Sequence, residues 1–371
     1  MDALEAWAAS GAMALTGRPD GPPLVAPGRP AAAVADGLAR LGLRLPGLLG
    51  ERAAYAGLRR NAPWSCGGAM RVLPTLDSHL ALSLPRESDL SLVPALVETE
   101  ADDPWEAVAA WARRTTAADA EERVRLLGLA GGAVPSLPTA DRGGVVSTTL
   151  GHRTISDAPV VVDLTSLWAG PLCAHLLGLR GARVVKVESA RRPDGARRGP
   201  AGFFALLHDG HEQMVLDLET ELDVLQALIE EADLVLEASR PRALRQLGLV
   251  AEDVVAAGTS WLSITARGRD SDAIGFGDDV AACAGLVVRD GDDLLPVGDA
   301  LADPMAGVAA AVAAAEALAS EEARLVDVSM LHVAAEAAGP VPAHEVRRLG
   351  EQWWVESDAG RFPVAEPVAR P

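Results

Sequence analysis

Pro159-Val-Val-Val-Asp-Leu164, Trp168-Ala-Gly-Pro171, Leu172-Cys-Ala-His-Leu-Leu-Gly-Leu179 and Gly181-Ala-Arg-Val-Val-Lys-Val-Glu188 follow one another without a break in pattern. The first run is short, apolar and β-branched, the composition of a buried strand. The glycine–proline step then starts an apolar helix, because proline is pre-set for the first helical turn. Gly181 ends that helix, and 183–187 is a second strand. Strand, helix and strand at this spacing form a βαβ unit, whose two strands run parallel.

The alternation continues outward. Strands are predicted at 213–218, 234–237 and 261–265, with helical stretches at 222–231 and 244–254. Residues 158–270 therefore read as a doubly wound, Rossmann-like parallel sheet. Residues 271–303 are rich in Gly and Asp and read as loop. An Ala-rich helix at 304–323 and a strand at 325–328 complete an α/β domain over 158–335. Before it, helical patterns at 31–41, 92–97, 105–115 and 117–127 surround a hairpin at 70–84. These suggest a smaller, mostly helical α+β domain over 1–140. Residues 141–157, with Gly143 and Gly144, read as a linker. Residues 336–371 read as a Pro-rich polar tail, apart from Trp353 and Trp354.

Composition narrows the function classes. The 371 residues carry 52 acidic and 33 basic side chains, a formal charge of −19. Such a chain is a poor general nucleic-acid binder, since phosphate binding needs a clustered positive field. Apolar residues make up 49%, enough for real cores. No long apolar run is free of charge, so no membrane span is expected. The first residues lack a basic stretch followed by an apolar one, so no signal peptide is expected. Cys66, Cys173 and Cys283 are odd in number and far apart, which suggests reduced thiols in a cytoplasmic protein and no metal site. Lys186 is the only lysine, and its survival among arginines favours a role over a plain strand residue with its amine in water.

The G-x-G-x-x-G fingerprint of dinucleotide sites is absent. Gly170-Pro171 still starts a helix whose free N–H groups can face a phosphate or carboxylate, although a turn with no ligand has the same sequence. G-x-S-x-G, G-x-x-x-x-G-K-[ST] and C-x-x-C are absent too. Asp290-Gly-Asp-Asp293 lacks the alternation and terminal Glu of a calcium loop.

These pieces together resemble the family III CoA-transferases, the CaiB/BaiF group. Val162 to Pro171 and Gly181 to Glu188 resemble the family's opening strand, Ala-Gly-Pro turn, helix and second strand. In order follow Arg192-Pro-Asp-Gly-Ala-Arg197, His208 to Leu218, Ala232 to Pro241 with Leu247-Gly-Leu249, Trp261 to Gly268, Pro296-Val-Gly-Asp-Ala300 and Val326-Asp-Val-Ser-Met330. Their order over 158–335 carries the resemblance more than any single piece.

The resemblance implies a CoA-transferase that moves CoA from an acyl-CoA to a carboxylic acid through an aspartyl anhydride and thioester. Asp299 stands where the family has its nucleophile, with loop N–H groups to stabilise each oxyanion. An aspartate before an Ala-rich helix is also a common cap. That role better suits Asp303, beside Pro304. CoA contacts carry over to Trp168, Ala169, Lys186, Arg197, Ala238, Ser239 and Arg240. Lys186, Arg191, Arg192, Arg197, Arg198 and Arg240 would gather positive charge at that edge. Gln246 and Ser189 replace arginines of some members. Asp278 and Asp279 are candidates for supporting roles. In racemases of this fold a His–Asp pair lies here, and Phe276 and Gly277 stand where the His would be.

Acyl-CoA racemase or isomerase is the first alternative, and a catalytically inactive acyl-CoA-binding protein the second. Coenzyme A or acyl-CoA enters as substrate, with no permanently bound cofactor expected. The resemblance also implies a homodimer. The layout departs from the family: 9–23, 71–82 and 105–134 resemble its second half, placed ahead of its first. This points to a circular permutation or a fusion remnant. In the N-terminal copy of the nucleophile loop, Ala32 occupies the aspartate position.

Overall fold

The structure, a computed structural model, describes residues 2–100, 102–135, 142–239 and 241–370. Its layers follow from alternation within the strands. Val161, Val184, Leu234, Leu236, Leu262 and Ile264 belong to one apolar cluster. Their neighbours Val162, Val185, Val235 and Trp261 belong to another. Successive strand residues face opposite sides, so this sheet is buried on both faces and needs helices on both. Helices Ala169–Gly178 and Ala302–Leu318 cover the first face, and Leu222–Glu231 and Ala251–Ala256 the second.

In space the seven strands run Val145–His152, Glu322–Ser329, Ser260–Thr265, Leu234–Glu237, Val160–Asp163, Arg183–Ser189 and Glu212–Leu216. All are parallel except Val145–His152, which pairs antiparallel with Glu322–Ser329. From Val160–Asp163 the chain winds to one edge, then returns to Leu234–Glu237 on the other side. This is the doubly wound, Rossmann-like order. Its switch point lies between those two central strands, where such sheets bind ligands beyond their C-terminal ends.

Several segments differ from the sequence expectation. Residues 145–152, within the expected linker, form the edge strand. Nearly all of it is solvent-exposed, so no apolar alternation marked it; the ladder to Glu322–Ser329 holds it. The expected loop at 271–303 holds a helix, Gly277–Cys283, and a hairpin, Val287–Asp290 with Asp293–Pro296. Asp290 to Asp293 is the tip of that hairpin, and Arg18 pairs with both end carboxylates, 2.6 Å each. The expected tail folds as a meander, Glu345–Leu349, Gln352–Ser357 and Gly360–Pro363. Buried Val355 anchors it, and Ala365 donates to the Ala8 carbonyl.

The N-terminal part is split by packing. A sheet of Met70–Pro74, His79–Ser83 and Ala130–Val134 encloses its own core with helices Pro104–Ala112 and Ala117–Leu126. The helices Ala3–Ala9 and Pro30–Arg40 instead join the core of the parallel sheet. Small residues make this possible. A Cβ on Gly37 would collide with Val308, and one on Gly307 would press into the Ala169 carbonyl. Helix Ala302–Leu318 therefore lies unusually close to two neighbours, which fixes the loop at its start.

Candidate functional site

Asp299 sits in the turn between strand Asp293–Pro296 and helix Ala302–Leu318. Gly298 adopts φ +63°, a region that favours glycine. Ala300 adopts φ +43° and Leu167, before Trp168, φ +71°. Non-glycine residues in such conformations cost about 1–3 kcal/mol each and persist only where surroundings over-determine them. Three exist among the described residues, and these two flank the expected site.

The surroundings come largely from the N-terminal part. Gly298 N–H donates to Thr16 Oγ1 at 2.9 Å, and that hydroxyl donates to the Ala12 carbonyl at 2.9 Å. The Cys66 thiol points at the Leu15 and Gly298 carbonyls, 3.2 Å each. Ala300 N–H donates to Asp278 at 2.8 Å. Arg52, from the short helix Glu51–Ala56, grips the Asp299 carboxylate with two nitrogens, Nε to Oδ2 at 3.0 Å and Nη2 to Oδ1. The Arg52 guanidinium lies 5.3 Å from the Trp168 ring centroid, so it bridges the Asp299 loop and the Gly-Pro turn.

One guanidinium thus faces several carboxylates. Asp299 has no exposed surface. Burial pushes its pKa up to about 6, with Arg52 opposing and Asp278 adding. Burial likewise pushes Asp279 and Asp303 up to about 7. Asp278 is raised by burial against the pull of Arg52. Burial also pushes the Cys66 thiol well up, which makes it an inert packing group.

The supporting carboxylates divide. Asp278 holds the Asp299 loop through the Ala300 N–H. Asp279 accepts from Ser83 Oγ at 2.7 Å and Phe276 N–H at 3.0 Å, and so ties the helix Gly277–Cys283 to strand His79–Ser83. Asp303 does not cap its helix. It lies within the first turn and accepts from Gly277 N–H at 3.1 Å. A Cβ on Gly277 would collide with the Ala300 carbonyl and the Asp303 carboxylate, so no histidine fits there. The loop N–H groups expected for oxyanions are partly spent, since those of Gly298 and Ala300 already donate. Ala32 is buried in helix Pro30–Arg40.

Trp168 and Ala169 lie past Val160–Asp163, and Ala238 and Ser239 past Leu234–Glu237, on the two sides of the switch point. Trp168 is buried edge-on to Phe203 at 5.3 Å, with its indole N–H unpartnered. No side chain caps the helix that Ala169 opens. Ser239 Oγ donates to Glu237 at 2.8 Å, and buried Glu237 also accepts from Trp261 at 3.0 Å and Ser263 at 2.8 Å. Ala238 is exposed. Arg240 lies outside the described residues. Arg197 is held by Glu188, Nε to Oε1 at 3.0 Å, and stacks on Phe204 at 4.4 Å.

Lys186 is neither in water nor open to a phosphate. The parallel register sets it opposite Asp163. Its fully buried amine lies 3.6 Å from Asp163 Oδ2 and 3.3 Å from Asp194 Oδ2, and donates to the Thr165 carbonyl. Asp194 in turn accepts from the N–H groups of Leu167 and Ala196, 2.9 Å each. The lone lysine therefore pins the strained turn before Trp168. Of the other basic residues expected at this edge, Arg191 pairs with Asp217 at 3.3 Å and with Glu219, while Arg192 and Arg198 are exposed.

Arg52, Thr16 and Cys66 were not singled out from sequence. Arg52 is 247 positions from Asp299 and one arginine among many, with no motif around it.

Residues 158–354 match the family model described as CoA-transferase family III. Over 191 residues the chain is 28% identical to a succinyl-CoA–D-citramalate CoA-transferase of Chloroflexus aurantiacus, covering 46% of this chain and 48% of that one. Over 92 residues it is 38% identical to a succinyl-CoA:mesaconate CoA-transferase of Haloarcula hispanica, covering 21% and 22%. A crystal structure of a CaiB/BaiF family protein from Brucella suis aligns with a TM-score of 0.48 at 21% identity, over 57% of this chain and 65% of that one. The chain spans about half the length, or less, of the curated relatives it matches.

Proposed function

This chain belongs to CoA-transferase family III, and we propose that it moves CoA from an acyl-CoA thioester to a carboxylic acid, with Asp299 as nucleophile. The observation that carries this is a buried carboxylate on a strained turn, held by one guanidinium beside the sheet's switch point. In the first step an Asp299 oxygen attacks the thioester carbonyl. The C–S bond breaks, leaving a mixed anhydride and CoA thiolate. The thiolate then attacks the aspartyl carbonyl and expels the donor acid, so Asp299 carries CoA as a thioester. The acceptor acid reverses these steps. Arg52 is the donor at hand for the developing oxyanions.

Trp168, Ala169, Ala238 and Ser239 are proposed CoA contacts, because both pairs flank the switch point. The relatives named above pass CoA from succinyl-CoA to short diacids by name, so short dicarboxylic acids are the first acceptors to test. We also read the protein as a cytoplasmic homodimer whose residues 1–140 derive from the family's second half. The test mixes acetyl-CoA or succinyl-CoA with a panel of short acids and follows new acyl-CoA by chromatography. New acyl-CoA from the wild type and none from Asp299→Asn supports the reading. No transfer with any pair, or rapid α-exchange in deuterated water instead, overturns it.

A further inference from the structure

We propose that Arg52 is the acceptor-acid site: it holds the Asp299 carboxylate while the enzyme is uncharged, and turns the same fork onto the substrate carboxylate once Asp299 carries CoA. This rests on the transfer reading above.

Three observations lead here. Arg52 uses two nitrogens on Asp299, the bidentate geometry that a guanidinium offers any carboxylate. The Asp299 side chain has no exposed surface while that of Arg52 is 28% exposed, so the open side of the pair belongs to the cation. Trp168 lies beneath the guanidinium, so the group stays in place when its partner changes.

Charge then sets the sequence of partners. At rest, Asp299 and Arg52 neutralise each other. Once the aspartyl carbon is bonded to sulfur, Asp299 is neutral and Arg52 is left without that partner in a poorly hydrated place. Such a cation demands an anion. Asp278 and Asp303 act on Arg52 only through space and accept from the Ala300 and Gly277 N–H groups, so neither fills its fork. The arriving acid supplies the missing carboxylate. One of its oxygens attacks the aspartyl thioester carbonyl, the C–S bond breaks, and CoA thiolate leaves. The thiolate attacks the acceptor's carbonyl in the anhydride, the C–O bond to Asp299 breaks, and the regenerated carboxylate returns to Arg52. Electrons balance, and no proton is required. The pair is thus an exchangeable seat for one carboxylate, held alternately by enzyme and substrate.

The test separates charging from discharge. The full chain is charged with succinyl-CoA, freed of small molecules, and the Asp299–CoA adduct is counted by mass spectrometry. It is then discharged either with acetate or succinate, or with hydroxylamine, which carries no negative charge. In Arg52→Gln, charged at about pH 8.5, the acid concentration for half-maximal discharge is expected to rise about tenfold or more, and discharge at a fixed low acid concentration to fall about tenfold further than discharge by hydroxylamine, which shares only the oxyanion step. Arg52→Lys keeps the charge but loses the fork, and falls between; it serves if Arg52→Gln does not fold. Added methylguanidinium restores acid discharge to Arg52→Gln. Wild-type acid dependence in both variants overturns the Arg52 proposal and leaves the transfer reading intact. Failure of the wild type itself to form an adduct overturns both.

Discussion

Two buried cation–carboxylate clusters sit on the same edge of the sheet and do opposite jobs. Around Lys186, cation and both carboxylates are wholly enclosed. Around Arg52, the carboxylate is enclosed but the cation is partly open. The first is closed to solvent on every side and holds a turn. The second has a face toward solvent and a carboxylate pushed upward by burial. The openness of the cation, more than burial of charge, separates the structural pair from the one proposed to react.

Four experiments press on that contrast. The largest effect belongs to Asp299→Asn, which removes the proposed nucleophile while keeping the shape. Acyl transfer measured by chromatography should fall by about four orders of magnitude or more, with the fold intact by circular dichroism. Retained transfer would place the chemistry elsewhere. Lys186→Met comes next. It strands Asp163 and Asp194 without their cation, and urea unfolding should show a loss of about 3–5 kcal/mol. A stable variant with weakened CoA binding would return Lys186 to the ligand.

The pH profile is third. As the proposed nucleophile Asp299 would attack only when ionised, and burial raises its pKa to about 6. Transfer should therefore be flat above about pH 7 and fall about tenfold per unit below 6. A profile that fell only below about 4 would mean an unperturbed carboxylate.

The smallest effect concerns Asp279, whose pKa is raised to about 7 by burial. A raised carboxylate binds more protons folded than unfolded between its two pKa values. Its contribution to stability therefore grows as pH falls from about 7 toward 4, and is lost as pH rises. Asp279→Asn mimics the protonated form, so the variant should gain on the wild type in melting temperature from pH 5 to pH 8. An unchanged difference would mean that Asp279 is not proton-linked.

The fold was legible where strands were buried on both faces. Continuous apolar runs such as 160–162 and 234–236 admit few other readings. It was illegible where strands were exposed or short. The edge strand at 145–152 is held by a ladder alone, and the C-terminal meander has one fully buried apolar residue per strand at most. The site divides in the same way. Asp299, Asp278, Trp168 and Ser239 lie on local motifs. Arg52 reaches Asp299 across 247 positions, and no local pattern encodes such a contact. Lys186 was noticed for its rarity. Its partners were set by the strand register, which places Asp163 opposite, and by the turn that brings in Asp194.

Covalent charging of Asp299 is the step on which the proposed transfer depends. The direct measurement incubates the protein with acyl-CoA and hydroxylamine, digests it, and maps the product by mass spectrometry. A hydroxamate is expected on the peptide containing Asp299, formed only when thioester is present. Its absence with every acyl-CoA that binds, or a hydroxamate on another carboxylate, would contradict it.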